Sequence, residues 1–275
     1  RFMSIKPFTP AVLKEIMAEY NPNYTAEDLL ALYSFTGGVA KYVQLLVDAG
    51  ATTKTKMLNH IIKADSVFLG EGKAILIEEF GKDYGVYFSI LSAIARGKTL
   101  RSEIEQIVGR EIGGYLTKLE KEYEVITKNQ PIFEKSSTKN VRYTIEDNFF
   151  TFWFRFIYKY NYMLEIENYD AVKTIINRDY ETFSGKMLER YFKRVLMESK
   201  AYTRIGSWWD RKGENEIDIV AENELNDEAV FIEVKRKEEN FDAIALNEKV
   251  DVFTRATGKF KDYIVSQKGL SMTDM

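Results

Sequence analysis

Cysteine is absent from the 275 residues, and histidine occurs once, as His60. The first absence excludes disulfide scaffolds, thiolate catalysis and cysteine-based zinc sites. The second excludes a multi-histidine metal centre and argues against a Ser-His-Asp triad. No apolar run approaches eighteen residues, so no membrane-spanning helix and no membrane partner are expected. A surplus of positive charge is also missing: the net charge is −3, so the chain as a whole is not a polyanion binder, although a local basic face remains open. Chemistry is left to carboxylates, lysine, hydroxyls and tyrosine, with a hard metal ion as a compatible partner. What is present is ordinary for a globular protein. Apolar residues make up 45% and charged residues 29%, and 17 Tyr and 18 Phe rule out a disordered chain. The sequence opens on Arg1 rather than Met, and Phe2 to Pro10 carries no apolar export signal. It reads as a piece of a longer polypeptide with a cytoplasmic home.

Residues 1–66 read as a small helical unit. Thr9-Pro10 opens a helix that carries Val12, Ile16 and Met17, and Asn21-Pro22-Asn23 closes it. Thr25 and Asp28 approach a capping box for a second helix ending near Thr36-Gly37-Gly38. A third follows from Val39 to Gly50. Residues 67–165 give three helices, with Thr99 expected to cap the middle one. Two strand-like stretches follow, Val125 to Lys128 and Val141 to Ile145, joined by a polar loop from Glu134 to Asn140. That order is a winged helix-turn-helix. Its third helix, Glu111 to Tyr123, could meet DNA or serve as a spacer or protein contact. The wing is the more basic part, with Lys128, Lys135, Lys139 and Arg142. An aromatic helix, Phe149 to Tyr162, is apolar almost all round. Asp170 to Asp179 is the expected boundary, and residues 166–275 alternate helical and strand-like patterns. They comprise a helix from Phe183 to Glu198, strands at Glu216 to Ala221, Ala229 to Lys235 and Lys261 to Ser266, and a helix from Asp242 to Ala256. Phe68 to Lys73 has a faint likeness to a phosphate-binding loop. Val67 and Ala74 stand where that loop needs Gly and Ser or Thr, so the segment reads as helix through Phe80.

The chemistry gathers in Glu216-Ile217-Asp218-Ile219-Val220 and Phe231-Ile232-Glu233-Val234-Lys235. Strand alternation puts Glu216 and Asp218 on one face, and Glu233 and Lys235 on one face. A hairpin centred between Leu225 and Asn226 sets Asp218 opposite Glu233. Two carboxylates and the Val234 carbonyl suit a hard divalent cation, Mg²⁺ or Mn²⁺. Lys235 suits the orientation of the attacking water or the stabilisation of negative charge developing on a scissile phosphate. Glu189, on the preceding helix, is within range of the same ion. The bland alternative is a solvated ion-pair cluster of small energetic weight. Between Lys186 and Lys212 stand eight basic residues against three acidic ones. Lys186, Arg190, Lys193, Arg194, Arg211 and Lys212 are the candidates for nucleic-acid phosphates, the alternative being a solubilising helix face. Trp208-Trp209 could stack on bases, but packing between sheet and helix is the better reading.

Glu189, Asp218 and Glu233-Val234-Lys235 resemble the signature of the PD-(D/E)XK nuclease superfamily, with Ile217 where its name has Pro. Ile205-Gly206-Ser207-Trp208-Trp209 and Glu216 to Ala221 are similar to the C-terminal domain of archaeal-type AAA ATPases. Tyr143 to Phe150 and Phe152 to Phe156 resemble the end of that family's winged helix. Gly37-Gly38-Val39-Ala40-Lys41-Tyr42 resembles its lid motif, with Ala40 where the family usually has Pro. The resemblance implies an α+β multidomain chain: a lid remnant, a winged helix, and an α/β restriction-endonuclease-like domain with a mixed sheet. It implies metal-dependent cleavage of DNA or RNA by Asp218, Glu233 and Lys235, with Glu189 and Val234 completing the metal shell. ATP would bind only in a missing N-terminal part, and that ATPase domain and a homo-oligomer are the implied protein partners. The competing reading is a non-catalytic nucleic-acid or protein-binding module governed by that ATPase.

Overall fold

The computed structural model describes residues 6–275, so the beginning of the Phe2 to Pro10 stretch lies outside the described residues. The architecture is α+β. Of the described residues, one compact unit takes in 6–8, 13–129 and 142–180. The other takes in 9–12, 130–141 and 181–275.

The first unit is mainly helical. Helices α1 (Pro10–Tyr20), α2 (Ala26–Thr36), α3 (Ala40–Asp48), α4 (Lys54–Ile61) and α5 (Val67–Phe80) follow in order. The expected capping box is present: the Thr25 hydroxyl accepts from Asp28 N–H, and Asp28 accepts from Thr25 N–H. Asp28 also accepts the Lys54 N–H at 2.7 Å, so one carboxylate serves the start of α2 and the start of α4. The stretch with a faint phosphate-loop likeness lies inside α5, where Gly72 lets the Trp153 ring lie against the helix backbone. A Cβ there would come within 2.5 Å of the indole.

The three expected helices are α6 (Tyr84–Ala95), α7 (Arg101–Val108) and α8 (Gly113–Lys121). They lead into an antiparallel ribbon, β1 (Ile126–Asn129) with β2 (Arg142–Ile145). The cap of α7 is Leu100 rather than Thr99, because Glu103 accepts the Leu100 N–H and the Thr99 carbonyl is taken by Tyr143 N–H of β2. The aromatic stretch is not one uniform helix. It runs as α9 (Asn148–Phe152), a π-helical turn (Trp153–Tyr158) and α10 (Asn161–Glu165). Phe149, Phe152, Phe154 and Phe156 are all essentially inaccessible to solvent.

Residues 170–179 form no linker. They belong to α11 (Tyr169–Ser199), a continuous helix of 31 residues whose later part enters the second unit after residue 180.

The second unit is built on four strands, β3 (Arg204–Trp209), β4 (Glu216–Asn223), β5 (Glu228–Val234) and β6 (Ile264–Leu270), in that spatial order. The first three are antiparallel and β6 lies parallel to β5, as a crossover through α12 (Ala243–Thr257) permits. Asp242 caps α12 by accepting from Ile244 and Ala245 N–H. Strand β6 starts three residues later than its apolar pattern suggests. Phe260 and Tyr263 are spent on the core instead, Phe260 stacking on Phe253 and Tyr263 packing on Phe260.

That core joins Trp208, Ile217, Phe231, Leu246, Val250, Phe253 and Phe260. Trp208 and Trp209 are both buried, which is the packing role expected of them. The polar loop of the wing has an apolar root that its sequence did not advertise. Ile132 and Phe133 join this same core, the Ile132 N–H donates to the Ser207 carbonyl at 2.9 Å, and Asn140 accepts from the Trp209 indole N–H. The outer side of β3 is covered in this way.

Phe253 is fully buried and meets Trp208, Phe231 and Phe260 edge-on or stacked. Phe253→Ala is expected to cost about 3–5 kcal/mol, read as a lowered denaturant midpoint at unchanged slope.

Candidate functional site

The β4–β5 hairpin has the register its spacing predicts: Ile219 pairs with Ile232 and Asn223 with Glu228. The ladder stops at the first of these pairs, and one step further along the same register Asp218 lies close to Glu233, whose charge acts on it, and accepts the neighbouring Val234 N–H. The two side chains share the face on which Phe231 meets α12, while Ile219 and Ile232 are buried on the other. The apolar side of each strand thus anchors the hairpin and leaves the charged side no freedom of register.

Each acid is held differently. Asp218 accepts the Val234 N–H through Oδ2 at 2.8 Å. Glu233, only 7% exposed, takes two lysines on one oxygen: Lys235 Nζ stands 2.8 Å and Lys249 Nζ 2.9 Å from Oε1. Its other oxygen, Oε2, is buried and has no hydrogen-bond partner among the described residues. Glu189, on α11, pairs with Lys186 at 2.9 Å. Arg236, just past β5, donates to the Ser184 hydroxyl and so ties the strand end to α11.

The electrostatics show that these groups converge. Burial and then the Asp218 charge push the Glu189 carboxyl up to about 7, with Lys186 opposing. Asp218 is raised by burial and by Glu233, against the Val234 N–H, Lys186 and Lys235. Glu233 moves the other way. Burial opposes its ionisation, yet the hydrogen bonds and charges of Lys235 and Lys249 hold it below the ordinary value. Lys235 is raised in spite of burial, because Glu233, Asp218 and Glu189 all act on it. Glu189, Asp218, Glu233 and Lys235 therefore share one electrostatic environment, with Glu216 at its margin beside Lys186.

Among the described residues, no three His, Cys, Asp or Glu side chains stand together as a ready cation cage. The donor set nevertheless fits a small hard cation. Mg²⁺ keeps several waters and takes only one or two carboxylates plus substrate phosphate. Asp218 and Glu233 are two such carboxylates on one face, and the orphaned Glu233 Oε2 is an oxygen that the fold has buried without satisfying.

The six candidate phosphate contacts separate. Lys186 is engaged by Glu189 and Arg194 by Glu198. Arg190 and Lys193 are partly buried on the same helix. Arg211 and Lys212 are exposed at the turn between β3 and β4, where Trp209 pairs with Glu216. That turn lies at the same end of the sheet as Asp218. Asp210 makes the turn rigid by accepting from Glu214 and Asn215 N–H. Burial opposes its charge, but these N–H groups and the Asn215 amide hold its carboxyl below the ordinary range.

Lys249 was not found by the motif. Its one sequence signal is its place beside the apolar positions Leu246, Val250 and Phe253 of α12, which marks the edge of a buried stripe.

Residues 153–263 match DUF234, a family described as archaeal and bacterial proteins of unknown function. That span contains Glu189, Asp218, Glu233, Lys235 and Lys249. The chain is also 32% identical over 251 residues to an uncharacterized protein of Methanocaldococcus jannaschii, MJECL04, an alignment covering 86% of this chain and 53% of that protein. The chain thus spans about half the length of this curated relative. No solved structure matches it. Among the described residues, no helix is long and apolar enough to cross a membrane.

The Glu189 shift fixes a pH dependence. Unfolded, this carboxyl ionises near its ordinary value of 4.5; folded, it does so near 7. Between those limits the folded state holds a proton that the unfolded state lacks, so the contribution of Glu189 to stability falls as pH rises through that window. Glu189→Gln is expected to raise the unfolding temperature relative to wild type at pH 8, by on the order of 1–3 kcal/mol of stability, and to change it little at pH 4. Thermal melts at the two pH values measure this.

Proposed function

We propose that the second unit is a divalent-metal-dependent nuclease acting on DNA or RNA phosphodiesters. The observation that carries this reading is the placement of Asp218 and Glu233 on one face of the β4–β5 hairpin, with Lys235 bonded to Glu233. A Mg²⁺ or Mn²⁺ ion held by Asp218 and Glu233, with the Val234 carbonyl at its side, would supply Lewis-acid polarisation of the phosphodiester and ease deprotonation of the attacking water.

The chain's own groups carry the remaining roles. The Val234 N–H fixes Asp218 through Oδ2. Lys235 keeps a full positive charge, because three carboxylates act on its ammonium group, so it can stabilise negative charge developing on the scissile phosphate. Glu189 is positioned to hold or release a proton near neutrality. Arg211 and Lys212 offer two exposed charges at the same sheet end for the phosphates flanking the cut.

In the same reading, the helical first unit and its winged-helix ribbon link this nuclease to an AAA-type ATPase domain. The relative from Methanocaldococcus jannaschii is long enough to include such a domain, and a Gly-Lys-Ser/Thr loop in the upstream sequence of the parent protein tests the link. The second reading, a binding module without catalysis, draws on the lysines that already neutralise Glu189 and Glu233.

Incubation of plasmid DNA and of single-stranded RNA with Mn²⁺ separates the two readings. Cleavage is expected in wild type and should fall at least about a hundredfold in Asp218→Ala and in Lys235→Ala. Cation-independent cutting, or cutting that survives both substitutions, would sink the nuclease reading; binding without cutting would favour the module.

The double variant Arg211→Ala/Lys212→Ala is expected to weaken nucleic-acid binding and to lower the slope of log affinity against log salt by about 1–2. Fluorescence anisotropy at several salt concentrations reads both effects, while folding should be untouched because neither side chain is buried.

A further inference from the structure

Two amines reach Glu233 from different parts of the chain, and both take the same oxygen. Lys235 lies two residues along the same strand. Lys249 comes from α12, sixteen residues away in sequence. The arrangement is lopsided: Oε1 carries two ammonium groups, while Oε2 is buried with no hydrogen-bond partner among the described residues. One ionised carboxylate needs one countercharge, so one of the two amines exceeds what the carboxylate by itself requires.

The two are not equivalent. Lys235 is held from several sides, since Asp218 and Glu189 act on it as well as Glu233. Lys249 has Glu233 as its ion-pair partner. It stands at the rim of the buried stripe of Leu246, Val250 and Phe253, with about a quarter of its side chain exposed. A lysine's flexible stem lets its ammonium group turn to water while the apolar stripe stays covered.

We propose that Lys249 is a tethered internal cation. It occupies the countercharge position at Glu233 in the cation-free protein and competes there with the divalent ion, so that uptake of the ion requires its departure. The inference rests on the metal-dependent reading above and adds a regulatory element to the same site. Two ammonium groups and a doubly charged ion around a single carboxylate repel one another strongly at this depth. Lys235 is the more exposed of the two, 37% against 26% of the side chain, but Asp218 and Glu189 also act on it, whereas Glu233 is the acid paired with Lys249 among the described residues. The vacated ammonium group would then be available to a phosphate oxygen of the bound polymer.

Titration of the full chain with MnCl₂ by calorimetry tests this, together with the Mn²⁺-induced rise in unfolding temperature. Lys249→Met is expected to bind Mn²⁺ on the order of tenfold more tightly than wild type, because the competing charge is gone. Lys249→Arg keeps the charge and should stay close to wild type. Adding Asp218→Ala to Lys249→Met should abolish the gain, which ties it to this site. If Lys249→Met folds poorly, Lys249→Gln, which keeps a hydrogen-bond donor for Glu233, should shift the affinity in the same direction. Equal or weaker Mn²⁺ binding by the neutral variants, with clear heats in wild type, would overturn the role of Lys249 and leave the metal reading standing. Absence of both heat and thermal shift in wild type and in the neutral variants would overturn the metal reading and this inference together.

Discussion

The antiparallel ladder that pairs Ile219 with Ile232 governs where every charge in the second unit falls. Ile219 and Ile232 are buried on one side and Val220 and Phe231 on the other, so a slip by one residue would carry Asp218 and Glu233 to the isoleucine side, away from α12 and Lys249. Once that register holds, Asp218 must face Glu233, and Lys235 must share their side. The aromatic cluster of Phe231, Phe253 and Phe260 presses α12 onto the same face and brings Lys249 to Glu233. Hydrophobic burial thus sets a crowd of carboxylates that electrostatics alone would disperse.

The charges then settle among themselves. Glu189 and Asp218 repel each other, and burial deprives both of water, so both resist ionisation. Glu233 escapes that fate because two ammonium groups outweigh its burial. One acid held ionised beside others inclined to keep their protons is a pattern found at functional sites more often than in surface ion pairs. An exposed ion-pair cluster would show neither the burial nor the opposing shifts.

Much of this was legible in the residues. The β4–β5 register followed from alternation and from the length of the turn, because both strands keep an unbroken apolar row on one side, Ile217, Ile219 and Ala221 facing Val230, Ile232 and Val234. The box of Thr25 and Asp28 was readable because a cap is a local interaction. Other features were hidden for physical reasons. The 31-residue course of α11 was obscured because its early part, Asp170 to Asp179, is polar and has little apolar periodicity of its own. Ile132 and Phe133 sit at the root of a polar loop, and nothing local tells whether such residues face solvent or a core. Lys249 is one of many charges on α12, and its partner lies on another element.

Composition and periodicity by themselves determined the absence of cysteine and multi-histidine chemistry, the three helices followed by a two-stranded ribbon, and the β4–β5 register that pairs Ile219 with Ile232. These depend on interactions between near neighbours or on whole-chain averages. Tertiary structure alone decided that β6 lies parallel beside β5, that the wing's root packs on β3, that Glu189 shares the field of Asp218, and that Lys249 closes on Glu233. Each of those depends on contacts between residues far apart in sequence, whose energies arise only when packing brings them together.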